Sequence, residues 1–193
     1  MLHGRRVAVL GGVRIPFCRQ NTAYADVGNL GMSVRTLGAL VETFGLHGQQ
    51  LGEVAMGAVI KHSSDWNLGR EATLSSGLSA LTPGITLQRA CGTSLDSIIT
   101  IGNKIATGQI EAGIGGGSDT TSDVPIVYGQ SFRRRLLRAA REKTPKDKLG
   151  AFKGFHLRDL KPEFPGVMEP RTGKSMGEHC EDMAKEWNIS RDS

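Results

Sequence analysis

Cys91 stands in QRACGTSLDSIITIG, residues 88 to 102, between a strand-like run and a helical one. ITLQ, 85 to 88, reads as a buried strand, while Leu95, Ile98, Ile99, Ile105 and Ala106 mark a buried helix that stops near Gly108. A sharp turn between them would point the thiol at the amino end of the helix. Unpaired N–H groups and the helix dipole there favour thiolate over thiol. A thiolate so placed is a good acyl acceptor. Gly92, Thr93 and Ser94 are small enough to let a substrate chain approach. A cysteine that merely packs fits the same pattern, because free cysteines are often buried. Position alone leaves both readings open. None of the histidines, His3, His47, His62, His156 and His179, sits in a local pattern that marks a general base.

Other motifs fall away on spacing. In GIGGGSDT, Gly113 and Gly115 start a dinucleotide fingerprint, but its third glycine would be Ser118. RTGKS, 171 to 175, ends like a phosphate-binding loop, yet the leading glycine would be Met168 and no strand precedes it. The glycines at 115 to 117 instead let a strand pass close to a neighbouring backbone. Cys18, Cys91 and Cys180 are too few and too scattered for a disulfide framework, and they fit a reducing, cytoplasmic setting. His179 beside Cys180 lacks the second pair that a zinc site needs, so no metal is expected.

The net charge of +5 is concentrated. Arg133, Arg134, Arg135, Arg138, Arg141, Lys143, Lys146, Lys148 and Lys153 face only Glu142 and Asp147 in that stretch. Such a run is either a solvated helical face or a contact for something anionic. Nucleic acid is a poor partner, since no aromatic interleaving or binding motif accompanies the charge.

Positioning these residues requires alternating elements. RVAVL (6 to 10), VAMGAVI (54 to 60), ITLQ (85 to 88) and AGIGGG (112 to 117) read as strands. Leu30, Val34, Leu37, Val41 and Phe44 form the stripe of a helix closed by Gly45, and 67 to 79 reads as a weaker helix. Strand–helix alternation argues for an α/β fold with a largely parallel sheet. Beyond residue 123 come a basic amphipathic helix with Phe132, Leu136, Leu137 and Ala140 on one side, then a proline-rich loop. A last helix runs from about Ser175 to Trp187, with Ser175 and Glu178 in capping-box spacing. At 193 residues, 38% hydrophobic and 22% charged, the composition is that of a folded domain, and no apolar run reaches the roughly 20 residues a membrane span needs.

QRACGTSLDSI resembles the acylation-site motif of thiolases, and the resemblance extends in order over nearly the whole chain. VAVLGGVRIPF is similar to the family's opening strand and Arg-Thr-Pro-Phe turn, with Ile15 where threonine is usual. GIGGGSDTTSDVP resembles the Gly-Gly-x-Glu-x-Met-Ser segment, with Asp119 for glutamate and Thr121 for methionine. SMGEHCEDMAKEWNISRDS resembles the Met-Gly-x-Thr-Ala-Glu helix and the Ile-Ser-Arg segment after it. The insertion from Arg133 to Pro170 is most similar to the thiolase β-subunit of trifunctional-type fatty-acid oxidation complexes. The RIPF turn and the SMGEHCEDMA helix favour thiolase over a ketoacyl-synthase relative.

The resemblance implies a thiolase-like α/β fold: an N-terminal half with a mixed, mostly parallel sheet and helices on both faces, plus part of an inserted loop domain. Residues 1–122 would be the core, lacking its last strand, and 123–193 the loop domain, with a basic helical insertion at about 131–153. It implies that Cys91 takes the acyl group as a thioester, in ping-pong thiolysis of 3-ketoacyl-CoA or the reverse Claisen condensation. Coenzyme A and acyl-CoA would be substrates, with no covalently bound cofactor, and Met176 matches a position near the acyl and pantetheine path. Arg133, Arg134, Arg135 and Arg138 are expected to meet CoA phosphates, a membrane surface or a partner. Full-length members are homodimers or tetramers, and the complex-forming ones add a hydratase/dehydrogenase α-subunit. The family's Gly-His-Pro and Cys-x-Gly motifs, which carry its base and second cysteine, have no match in this sequence. The chain is therefore expected to be an amino-terminal fragment or truncated product, inactive alone. The alternative is a non-catalytic thiolase-like protein that binds acyl-CoA, lipid or a partner, against which an intact Cys91 counts.

Overall fold

The structure, a computed structural model, describes residues 4–192. It divides into two compact units, Met1–Pro125 and Ile126–Ser193.

In the first unit, helix α1 (Asn29–Thr43) buries Leu37 and Val41 on the predicted stripe. It ends where expected, because Gly45 takes a left-handed φ of 63° and Leu46 N–H returns to the Val41 carbonyl. Strand β1 (Glu53–Gly57), helix α2 (Leu68–Leu74), strand β2 (Gly84–Leu87), helix α3 (Thr93–Ala106) and strand β3 (Gly113–Gly117) follow. The sheet order is β2-β1-β3 and every pairing is parallel. Alternation along β1 gives the sheet two faces. Val54 and Met56 pack with Leu37, Val41 and Ala72 on the α1/α2 side. Val41 and Val54 are wholly buried and contribute about 2 kcal/mol each in transfer free energy.

Helix α3 covers the other face. A Cβ on Gly115 would lie 2.7 Å from the Ile98 Cα and backbone nitrogen, so the β3 glycines admit the helix backbone itself. The close-packed side of α3 is accordingly its small side, with Thr93, Ser97 and Ile101 buried. Leu95, Ile98 and Ile99, expected to be buried, remain exposed.

The strand expected at 6–10 does not form. Both edges of β1 are already paired, and the run does not add to the outer edge of β2 or of β3. It is tethered instead at Arg5, whose N–H bonds the Ala106 carbonyl and whose side chain pairs with Glu111, and Val9 and Leu10 lie exposed. The strand expected over 54–60 stops at Gly57, because the Asp119 carboxylate accepts the N–H groups of Val59 and Ile60. Helix α2 stops at Leu74, short of the expected 79; Gly77 beyond it is left-handed, at φ 92°.

In the second unit, strands β4 (Val127–Tyr128) and β5 (Pro162–Glu163) form an antiparallel pair. Helix α4 (Gln130–Arg141) and the short helix α5 (Pro145–Gly150) lie between them in sequence. Phe132 gathers an aromatic cluster, with ring centroids 4.9 Å from Tyr128 and 5.6 Å from Phe155. Leu136 and Leu137 stay exposed. Helix α6 (Met176–Glu186) starts on the predicted capping box: Glu178 N–H donates to Ser175 Oγ while Ser175 N–H donates to the Glu178 carboxylate. No described helix is long and apolar enough to cross a membrane.

Candidate active site

A strand that ends at Leu87 and a helix that starts at Thr93 leave five residues to reverse direction. Ala90 takes a left-handed φ of 38°, uncommon for any residue but glycine. Thr93 stabilises it: its hydroxyl accepts from Arg89 N–H at 2.8 Å and donates to the Ala90 carbonyl at 2.8 Å. Arg89 Nε also pairs with Asp96 Oδ1 on the first turn of α3, at 2.9 Å. Cys91 follows the strained residue directly. It is exposed, and its thiol lies one residue before Gly92, the N-cap of α3. No side chain caps that end of the helix; the Gly92 and Thr93 N–H groups donate to the Arg89 and Ala90 carbonyls within the turn, and the positive end of the helix dipole lies beside the thiol-bearing residue.

Three loops leave the carboxyl ends of the parallel strands, the side on which open α/β sheets bind ligands. Cys91 lies on the loop after β2. Val59 to His62 form the loop after β1, and Ser118 to Asp123 the loop after β3. These are tied together. The Ser118 hydroxyl bonds Ser33 Oγ at 2.8 Å and the Asn29 carbonyl at 3.0 Å, and the Asn29 amide donates to the Ile60 carbonyl. His62 Nε2 lies 3.0 Å from Asp123 Oδ1 but off the line of a hydrogen bond. Lys61 Nζ donates to the Ala58 carbonyl and to Gln88 Oε1, the latter at 2.6 Å.

The remaining predicted residues belong to the second unit. Met176 opens α6, is 74% exposed, and lines a shallow cleft with Val167, Met168, Glu169, Arg171, Lys174 and His179, in which Glu169 pairs with Arg171 and His179. Arg133 and Arg134 are exposed, and Arg138 stands 4.0 Å from Glu142. Arg135 is held within the fold, donating to the carbonyls of Ala151, Lys153 and Gly154. His156 caps a short helical turn, and His179 bonds Thr172 and Glu169. His3 lies outside the described residues. Sequence reasoning passed over Lys61 and Gln88; each is a lone polar residue beside a strand, and nothing in local spacing pairs them.

The family described as "Thiolase, N-terminal domain" matches residues 7–193. The chain belongs to the thiolase family. It is 35% identical to a 3-ketoacyl-CoA thiolase of Photorhabdus laumondii over 98% of its own length, and 35% identical to one of Shewanella frigidimarina over 97%. It spans 43% of the length of each of these curated relatives. The crystal structure of the Bacillus anthracis acetyl-CoA acetyltransferase shares the fold, with a TM-score of 0.68 at 22% identity, over 89% of this chain and 39% of that one.

Proposed function

We propose that this chain supplies the acyl-accepting half of a thiolase-type acyltransferase acting on 3-ketoacyl-CoA. The observation that carries the reading is the place of Cys91: exposed, after a left-handed Ala90, at the uncapped amino end of a fourteen-residue helix. In the cleavage direction the Cys91 sulfur bonds the 3-keto carbon of the substrate. The bond between C2 and C3 then breaks, its electron pair passes to the acetyl-CoA enolate, and a proton completes acetyl-CoA. Free CoA takes the acyl group from sulfur in the second half-reaction, which restores the thiol. Cys91 stands immediately before the amino end of α3, the positive end of that helix dipole.

The proton steps need a base and an acid that this sequence does not match to a motif. The 193-residue chain alone therefore accepts an acyl group without sustaining turnover. We assign residues 1–122 to the thiolase core and 123–193 to the loop domain. Met176 is assigned to the acyl and pantetheine path on the likeness of its helix to the family's, and it is an exposed apolar side chain at the start of α6. Arg133, Arg134 and Arg138 are the anion contacts, for CoA phosphate or an acidic surface; Arg135 is already bound to carbonyls. Three unpaired cysteines suit the cytoplasm.

Competitive alkylation tests the reading. With limiting iodoacetamide, Cys91 should be labelled ahead of Cys18 and Cys180, which are equally exposed in class. Equal, slow labelling of all three would contradict it.

A further inference from the structure

Lys61 connects two of the loops at the carboxyl ends of the strands. Its ammonium donates to the Ala58 carbonyl behind it and to Gln88 Oε1 across the gap between β1 and β2. Gln88 is the first residue after β2 and stands three positions before Cys91. The loop that carries Lys61 is itself held. Asp119 accepts the N–H groups of Val59 and Ile60 at 2.8 Å each, and the buried Asn29 holds the Ile60 carbonyl. A continuous set of hydrogen bonds thus runs from the end of β3, through the loop after β1, to the turn that presents the thiol.

Arg89 is paired with Asp96, and the Asp119 carboxylate is taken up by two backbone amides. Lys61 is instead bonded to two neutral oxygens, one on each of the two loops it joins.

We propose that Lys61 is a positioning residue for Cys91, fixing the Gln88–Cys91 turn against the loop after β1. This rests on the reading of Cys91 as the acyl-accepting nucleophile. Lys61 acts on the thiol only through Gln88.

The test is the rate of Cys91 alkylation by iodoacetamide as a function of pH, followed by peptide mass, with Cys18 and Cys180 as references in the same sample. In Lys61→Met the Cys91 rate should fall about threefold, the worth of one hydrogen bond, while the other two cysteines keep their rates. Lys61→Arg should restore the rate. Gln88→Met, which removes the other end of the same bond, should lower it as Lys61→Met does. An unchanged Cys91 rate in Lys61→Met or Gln88→Met overturns the proposal, as does an equal change at all three cysteines. Failure of the nucleophile reading has a different signature: Cys91 of the unmodified chain would then react no faster than Cys18 and Cys180. The ratio of Cys91 rates in wild type and Lys61→Met still decides the role of Lys61 in that case.

Discussion

Gly115 lies directly against the backbone of Ile98: a Cβ at 115 would sit 2.7 Å from the Ile98 Cα. The contact sets the height of α3 above the sheet, and with it the place of Cys91 at the head of that helix. Gly115→Ala should force the helix outward and cost about 2 kcal/mol in chemical denaturation, as overpacking of a tight core does. Gly12, whose Cβ would meet nothing within 4 Å, is the control, and Gly12→Ala should change stability by no more than about 0.5 kcal/mol.

Asp119 closes the loop after β1 by accepting the Val59 and Ile60 amides. Asp119→Ala leaves both donors to water and should cost about 1–2 kcal/mol. Hydrogen exchange at Val59 and Ile60 should rise well before exchange in β1. Asp119→Asn retains one acceptor oxygen and should show a smaller effect on both measures.

The amino end of α6 is pH-sensitive in a definite direction. The Ser175 backbone N–H, and then its hydroxyl, hold the Glu178 carboxyl below the usual glutamate range. Hydrogen bonding and charge from Lys174 hold Asp182 low in the same way, while Asp182 raises Lys174. A carboxyl whose folded pKa is depressed stabilises the fold fully above its ordinary value and loses that contribution as pH falls through the lower folded one. Protection of the α6 amides should therefore decline only on acidification below the ordinary glutamate range. Glu178→Gln should remove most of that acid dependence. Ser175→Ala should cost about 1 kcal/mol at neutral pH, the usual worth of an N-cap side chain.

Two arginines of the basic run differ by one position and should behave differently. Arg135→Met frees the carbonyls of Ala151, Lys153 and Gly154 and should destabilise the second unit by about 1–3 kcal/mol. Arg134→Met removes an exposed side chain, should leave stability within about 0.5 kcal/mol, and should weaken CoA binding measured at low salt. Equal CoA affinity in both proteins would remove Arg134 from the anion contacts.

Periodicity made the core of this chain legible. The Leu37–Val41 stripe of α1 and the Ser175–Glu178 capping box both rest on residues within about a turn of one another. The misreadings arise where a distant residue decides. RVAVL has the pattern of a strand, but the segment is held at Arg5 by the distant Ala106 and Glu111 and joins no edge of the sheet. VAMGAVI ends early because Asp119, about sixty residues on, claims its last amides. Helix α3 buries its small side because β3 is glycine from position 115 to 117, so Leu95 and Ile99 stay outside. At the site, the turn around Cys91 was readable, whereas the Lys61–Gln88 bond joins residues that only the parallel pairing of β1 and β2 brings together.

Acyl transfer to Cys91 is the most direct measure of the whole account. The pure 193-residue chain should be incubated with acetyl-CoA, quenched in acid, and mapped by peptide mass for a thioester-linked acetyl group. The account predicts acetylation confined to the peptide carrying Cys91, reversed by added free CoA and absent from Cys91→Ser. Acetylation spread evenly over Cys18, Cys91 and Cys180, or missing from Cys91 while the chain remains folded, would contradict it.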